Sequence, residues 1–232
     1  MQRYFIETDN QLISGNDAHH IINVMRKKTG DKIIVCNSGV CFLSLIEIKQ
    51  KEVYYTKLEE LPSKIQLQVD IIQGLPKSNK VEEICKTATI FGAQTLIFTP
   101  MVRSIAKLSN EDNKIVRYQK IIKEAAELAH RTTLMKLEFK SSLKQINFAE
   151  YDLILLADEL TRTQTINDYL ASVGQGKIAV IIGPEGGIDQ KERDYLETLK
   201  AKRITLGELI LPTELAHIPI LTIIYNKLNK SK

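Results

Sequence analysis

Over the first sixty residues, apolar positions fall in short alternating runs separated by turn-forming residues, the pattern of a small β-rich unit. Residues 4–6, 32–36, 41–48 and 53–58 read as strands, with turns at Gly30-Asp31 and Ser38-Gly39. Residues 17–26 read as a short helix, because Ile21, Ile22 and Met25 recur at helical spacing. Residues 61–64, Leu-Pro-Ser-Lys, read as a linker: Pro62 stops the preceding element and the apolar pattern resets after it.

Beyond residue 65 the period alternates between two and about 3.6. Residues 67–72, 95–98, 153–157, 178–182 and 203–206 are short apolar strands. Helical patterns cover residues 80–91, ending at Gly92, then 114–130, 166–172, 190–200 and a last segment from Thr213. Such alternation predicts an α/β domain with a mostly parallel sheet and helices on both faces.

The 232 residues suffice for one large or two small domains. At 44% hydrophobic and 26% charged, the chain has an ordinary globular balance. No apolar run is long enough for a membrane span, and the first residues lack the basic-then-apolar order of a signal peptide. Cys36, Cys41 and Cys85 are odd in number and lack CxxC spacing. That argues against a disulfide framework or zinc ribbon and for a reducing, cytoplasmic compartment. The adjacent His19 and His20 face different sides of a helix, so no metal is expected. The net charge of +4 arises from the middle of the chain, where residues 63–150 carry 14 basic and 9 acidic groups. This suits a polyanionic partner without requiring one.

Two loops carry the chemistry. In Ile181-Ile182-Gly183-Pro184-Glu185-Gly186-Gly187-Ile188-Asp189 a buried strand runs into a three-glycine turn, and Asp189 with Glu192 offers a capping box for the helix that follows. Such a turn lets backbone approach a ligand at the carboxyl edge of a sheet, although a tight connection without a ligand needs glycine too. It lacks the Lys-Ser/Thr of a phosphate loop, and Glu185 would repel a pyrophosphate. A nucleoside bearing a sulfonium fits better, which argues against an unrelated α/β nucleotide enzyme. The second loop, residues 204–214, leads into the last helix, with a helix start expected near Pro212 from Thr213 and Glu214.

Together, "IIGPEGG" at 181–187 and "LGELILPTE" at 206–214 resemble the bacterial 16S rRNA uridine-N3 methyltransferases. "MQRYFI" at the start, "HHIINVMR" at 19–26 and "GLPK" at 74–77 resemble the same family, so the likeness runs to about residue 228. The resemblance implies a PUA-like RNA-binding barrel over 1–63 and, over 64–232, a SPOUT methyltransferase domain with a deep trefoil knot, an exception to the rule against threading. It implies a homodimer, S-adenosyl-L-methionine (SAM) in the knot, and 16S rRNA or the small ribosomal subunit as partner. The cofactor positions it implies are Leu156 and Ala157; Ile182, Gly183, Pro184, Glu185, Gly186 and Gly187; and Leu206, Gly207, Leu209, Ile210 and Leu211.

Methylation at N3 removes a proton and spreads negative charge over the base, so a nearby cation would stabilise the transition state. The family's loop arginine is Pro212 here. Arg131, Arg103 and Lys80 remain as candidate cations, with Glu214 as a base or cap. Arg26, Lys27, Lys77, Lys80, Arg117 and Lys120 are the candidate RNA contacts, the last three being borne on helical segments. The alternative is a divergent SPOUT paralogue that binds SAM or RNA, with a changed RNA substrate or no methyl transfer.

Overall fold

The computed structural model describes residues 1–62, 67–107, 112–171 and 176–229. By packing it divides into two units, Met1–Lys64 with Lys123–Leu134, and Ile65–Ile122 with Met135–Lys232. Of the expected linker, Leu61 and Pro62 lie outside any helix or strand, and residues 63 and 64 lie outside the described residues.

In the first unit β1 (Arg3–Phe5), β2 (Leu12–Ile13), β3 (Lys32–Asn37), β4 (Val40–Lys49) and β5 (Glu52–Glu60) form one mixed sheet. Its order is β1-β3-β4-β5-β2, with only the β1–β3 pair parallel. Alternate residues Ile33, Val35, Ile46, Val53 and Tyr55 turn inward onto Tyr4 and Ile21. Ser38 and Gly39 both take positive φ, 48° and 89°, the turn whose twist suits a two-residue hairpin. That turn sets Cys36 opposite Cys41, and the structure joins them in a disulfide. The cysteine spacing argued otherwise. It did not take account of a hairpin, which places residues five apart face to face.

The helix expected over 17–26 is shorter: α1 (Gly15–His19) continues as a widened turn over His20–Val24, and Arg26 already has φ 51°. Residues 123–134 are tied in by polar contacts. Lys123 Nζ pairs with Asp17 Oδ2 at 2.5 Å, Gln2 Nε2 donates to Glu127 Oε2 at 3.4 Å, and Arg3 Nη1 donates to Arg131 O at 3.3 Å.

In the second unit β6 (Val69–Gly74), β7 (Thr95–Thr99), β8 (Lys136–Phe139), β9 (Leu153–Ala157), β10 (Ile178–Ile182) and β11 (Lys202–Ile204) make one parallel sheet, ordered β11-β9-β10-β6-β7-β8. The period-2 pattern divides the strand residues between two cores. Ile71, Leu96, Leu155 and Val180 pack on one face with Ile84 of α2 (Ser78–Ile90), Ile122 of α3 (Asp112–Leu128) and Ile220 of α6 (His217–Asn229). Ile72, Ile97, Leu156 and Ile181 pack on the other with Leu196 of α5 (Gln190–Thr198) and Phe148. A single turn, α4 (Asn167–Leu170), replaces the longer helix expected there, and Ser172 lies outside the described residues. Among the described residues no helix is long and apolar enough to cross a membrane.

Three sequence readings change here. The edge strand β8 is four residues long and none of them is buried, so no apolar run marks it in the sequence. β11 stops at Ile204, not 206. The last helix starts at His217, four residues past Thr213; residues 213–216 form turns, with Leu215 N donating to Pro212 O at 2.9 Å. Pro219 therefore falls in the first helical turn, where its missing N–H costs no helical bond.

His217 itself is wholly buried. The Thr87 hydroxyl donates to Glu83 O at 2.7 Å, so the imidazole donates from Nε2 to Thr87 Oγ1 at 2.9 Å, leaving Nδ1 bare and unpartnered. Desolvation by burial lowers its pKa to about 4. Between the ordinary value of about 6.5 and about 4 the unfolded chain takes up a proton that the folded chain refuses, so stability falls as pH falls. Urea melts at pH 7 and 5 should show wild type losing about 2 kcal/mol more than His217→Gln. Parallel losses would place the protonation elsewhere.

A candidate ligand cleft at the carboxyl edge of the parallel sheet

Open parallel sheets bind ligands at the carboxyl ends of their strands, where the strand order changes direction. Here β7 and β8 extend the sheet on one side of β6, while β9, β10 and β11 build the other side. The loops after β9, β10 and β11 enclose a cleft of about 480 Å³ at that edge. A cavity of this size holds a compact small molecule.

The loop after β10 is the glycine loop. Gly187 takes φ 73°, and Gly187 N donates to Pro184 O at 2.9 Å, closing a tight turn. Asp189 Oδ1 accepts from Lys191 N and Glu192 Oε2 from Asp189 N, both at 3.1 Å, giving the expected capping box. Gly183 O is held from below: Thr213 Oγ1 donates to it at 2.5 Å and Gln73 Nε2 at 3.2 Å. Gln73 Nε2 also donates to Thr213 Oγ1 at 2.8 Å, so a buried network joins β6, the glycine loop and the segment before α6.

The loop after β9 is fixed by Asp158. This buried carboxylate receives Arg193 Nε and Nη2, each at 3.0 Å, and Arg203 Nε at 2.8 Å. Burial alone would raise its pKa, but bonds from Arg193 and Leu160 N and the charges of Arg193 and Arg203 leave it below the ordinary value. Arg193 Nη2 also reaches Glu159 Oε1 at 3.0 Å, and its Nη1 donates to Ile188 O at 2.5 Å. One buried guanidinium thus ties the loop after β9 to the start of α5.

The loop after β11 contributes Thr205 through Thr213. Thr205 N donates to Gln164 O at 2.8 Å, tying this loop to the loop after β9. Leu209 and Ile210, 81% and 83% exposed, stand at the rim. Across the cleft, Lys80 Nζ bonds Glu214 Oε2 at 2.8 Å and lies 3.6 Å from Glu185 Oε1, which also accepts from Lys77 N at 3.1 Å. The bond to Glu214 raises the Lys80 pKa and holds the Glu214 carboxyl below its usual value against the opposing effect of burial, so both are charged at neutral pH.

Of the expected cofactor positions, Ala157, Ile182 to Gly187, Leu206, Gly207 and Leu209 to Leu211 line this cleft; Leu156 lies beneath, in the core. Lys80 lines it as well. Arg103 sits behind the glycine loop, its Nη1 donating to Gly186 O at 3.2 Å and its Nε 3.7 Å from Asp189 Oδ2. Glu214 reaches the cleft through Lys80. Arg131 belongs to the first unit, where its Nε donates to Thr133 O at 3.1 Å and burial lowers its pKa to about 10. Arg26 and Lys27 lie after the widened turn of the first unit, and in the second unit Arg117 pairs with Glu82 at 2.8 Å while Lys120 is exposed on α3.

The sequence assigns no role to Arg162 or Gln73, nor to Asp158 and Glu159 after the strand at 153–157 or Thr205 and Glu208 within the loop at 204–214. A signal was present for some: Asp158 directly follows an apolar strand at its carboxyl end, and Arg193 occupies an inward position of a helix. The cleft is lined by the carboxylates of Asp158, Glu159, Glu185 and Glu208 against the cations Lys80 and Arg162. Asp158, Glu159 and Glu185 are already paired with Arg193, Arg203 and Lys80, so the walls available to a ligand are the apolar side chains of Ile182, Leu206 and Leu211 and the backbone of the three loops, which suits a small molecule with both apolar and hydrogen-bonding parts.

A family model described as an RNA methyltransferase domain matches residues 63–225, and one described as an RNA methyltransferase PUA domain matches 13–58. The ribosomal RNA small subunit methyltransferase E of Bacillus subtilis is 31% identical over 97% of this chain and 96% of its own. That of Mesomycoplasma hyopneumoniae is 26% identical over 96% and 98%. The crystal structure of the Neisseria gonorrhoeae ribosomal RNA small subunit methyltransferase E bound to S-adenosyl methionine superposes with a TM-score of 0.83 over 98% of both chains, at 18% identity, and shares the fold.

Proposed function

The chain belongs to the ribosomal RNA small subunit methyltransferase E family, and from that premise we propose that it methylates N3 of a uridine in 16S rRNA. It is a SAM-dependent enzyme acting on small-subunit ribosomal RNA; the uridine N3 acceptor is the finer part of the proposal. The observation that carries the reading is the cleft, which has loop backbone on three sides and apolar walls at the carboxyl edge of the sheet. Those features fit SAM, whose adenine needs an apolar wall and whose ribose and amino-acid ends need backbone hydrogen bonds.

Bound SAM supplies the methyl group and the sulfide leaving group. The chain's own task is to hold, orient and shield. Residues 183–187 and 206–211 line the cofactor seat, and the Gln73–Thr213 network keeps Gly183 in place. Arg103 braces the glycine loop from behind, and Glu214 fixes Lys80. Arg26 and Lys27 in the first unit, and Lys77 and Lys120 in the second, are assigned to RNA phosphates, whereas Lys80 and Arg117 are held by Glu214 and Glu82. Contacts of this kind weaken steeply with salt.

The proposal extends to a cytoplasmic homodimer with a knotted cofactor region. A second copy would cover the exposed Leu209 and Ile210 side chains, and ribosomal RNA as substrate supports the location.

Purified protein incubated with methyl-labelled SAM and small subunits lacking the modification should place label at the N3 of one uridine of the 16S rRNA. Label at another atom would correct the acceptor. No label, with SAM bound, would favour a paralogue with a changed RNA substrate or none.

A further inference from the structure

The reaction proposed above builds negative charge on the acceptor base, so the position of an uncommitted cation decides where that charge is stabilised. The cleft lining offers two cations, Lys80 and Arg162. Lys80 is neutralised by Glu214 at 2.8 Å and Glu185 at 3.6 Å. The arginines nearby are committed as well. Arg193 and Arg203 are bound to Asp158, and Arg103 to Gly186 O and Asp189. Arg162 is exposed and makes no hydrogen bond or ion pair among the described residues.

The backbone that carries it is nonetheless fixed. Leu160 N donates to Asp158 Oδ1 at 3.1 Å and Thr161 N to Asp158 O at 3.0 Å, and the Thr161 side chain is buried. Two residues beyond Arg162, Gln164 O receives Thr205 N at 2.8 Å. Both anchors lead to Asp158 or to the loop after β11. A charged side chain is therefore presented to the cleft from a braced loop, with no carboxylate of its own to satisfy it.

We propose that Arg162 is a catalytic residue whose guanidinium takes the negative charge developing on the carbonyl oxygens of the acceptor uracil. The inference rests on the uridine-N3 reading. In the step, the N3 proton passes to solvent and the N3 electron pair forms the new C–N bond. The C–S bond breaks with its pair moving to sulfur, and the base ends neutral. Arg162 keeps its proton throughout and acts by charge and by hydrogen bonds to oxygen. Such a group favours the deprotonated base, so it sets the pH at which N3 becomes reactive.

The test compares wild type, Arg162→Ala and Arg162→Lys with SAM and unmodified small subunits. Readouts are kcat, KM for the subunit, SAM affinity by calorimetry, RNA affinity by filter binding without SAM, and the pH–rate profile. Arg162→Ala should lower kcat about 100-fold and move the pH–rate profile upward, with both affinities unchanged within about twofold. Arg162→Lys, which keeps the charge, should recover part of kcat and most of the pH shift. Unchanged kcat in Arg162→Ala would overturn the assignment, as would a loss confined to KM and RNA affinity, which marks a phosphate contact. A wild type that labels no uridine N3 would refute the underlying reading before any variant is compared.

Discussion

Gly74→Ala should weaken SAM binding by roughly tenfold to a hundredfold while leaving the fold intact. A Cβ at Gly74 would stand 2.6 Å from both Pro184 N and Pro184 Cδ, and 2.9 Å from Met101 Sδ. The methionine can rotate away, but the backbone nitrogen of Pro184 cannot move without its loop. Gly74 ends β6 and Pro184 opens the glycine loop, so the collision falls where strand meets cofactor seat and not in the middle of the sheet. The loop is further held by Gln73 and Thr213 at Gly183 O, so a displaced Pro184 pulls against a buried network. Calorimetric titration with SAM measures the effect, and a thermal melt shifted by only a few degrees separates loop displacement from unfolding. An unchanged affinity would show that displacing Pro184 does not reach the cofactor, and the cofactor assignment to residues 183–187 would fall.

Gly74 shows what the sequence conveys and what it hides. The residue stands in "GLPK", which carried part of the family resemblance, but nothing in those letters shows that Pro184 lies against it 110 positions later. The parallel sheet was legible because buried strands such as 153–157 and 178–182 are continuous apolar runs, and both match their observed bounds. The capping box at Asp189 was legible because it is local, three residues from cap to partner. Most cofactor positions followed from local glycine and apolar patterns at strand ends. Polar pairings between distant segments were not legible: Gln73 reads as an ordinary polar interruption of a strand, and Lys80 with Glu214 as two unrelated surface charges. The cleft itself emerges only when three loops are brought together. The disulfide follows the same rule from the other direction, since a local hairpin made opposite neighbours of two cysteines that spacing rules had set aside.

Asp158→Asn should destabilise the second unit by about 3–5 kcal/mol at neutral pH, the cost of stranding a buried charge. Arg193 is 6% exposed and donates to both oxygens of Asp158 at 3.0 Å; asparagine keeps the shape and one acceptor but removes the charge. Its remaining carboxylate partner, Glu159, is more exposed and meets one guanidinium nitrogen only. Arg203 loses its 2.8 Å partner too but reaches solvent, so it adds little. The pH dependence provides a second check. Asp158 titrates below its ordinary value when folded, so its stabilisation is present above about pH 4 and is lost as pH falls through the folded pKa. The gap between wild type and Asp158→Asn in urea melts should therefore narrow on acidification. Asp158→Asn combined with Arg193→Met should recover much of the loss, because the stranded cation is gone and an apolar side chain of similar length fills its place. If Asp158→Asn alone costs less than about 1 kcal/mol, the pair is solvated and contributes as a surface ion pair would. The rigidity of the loop that carries Arg162 would then need another source.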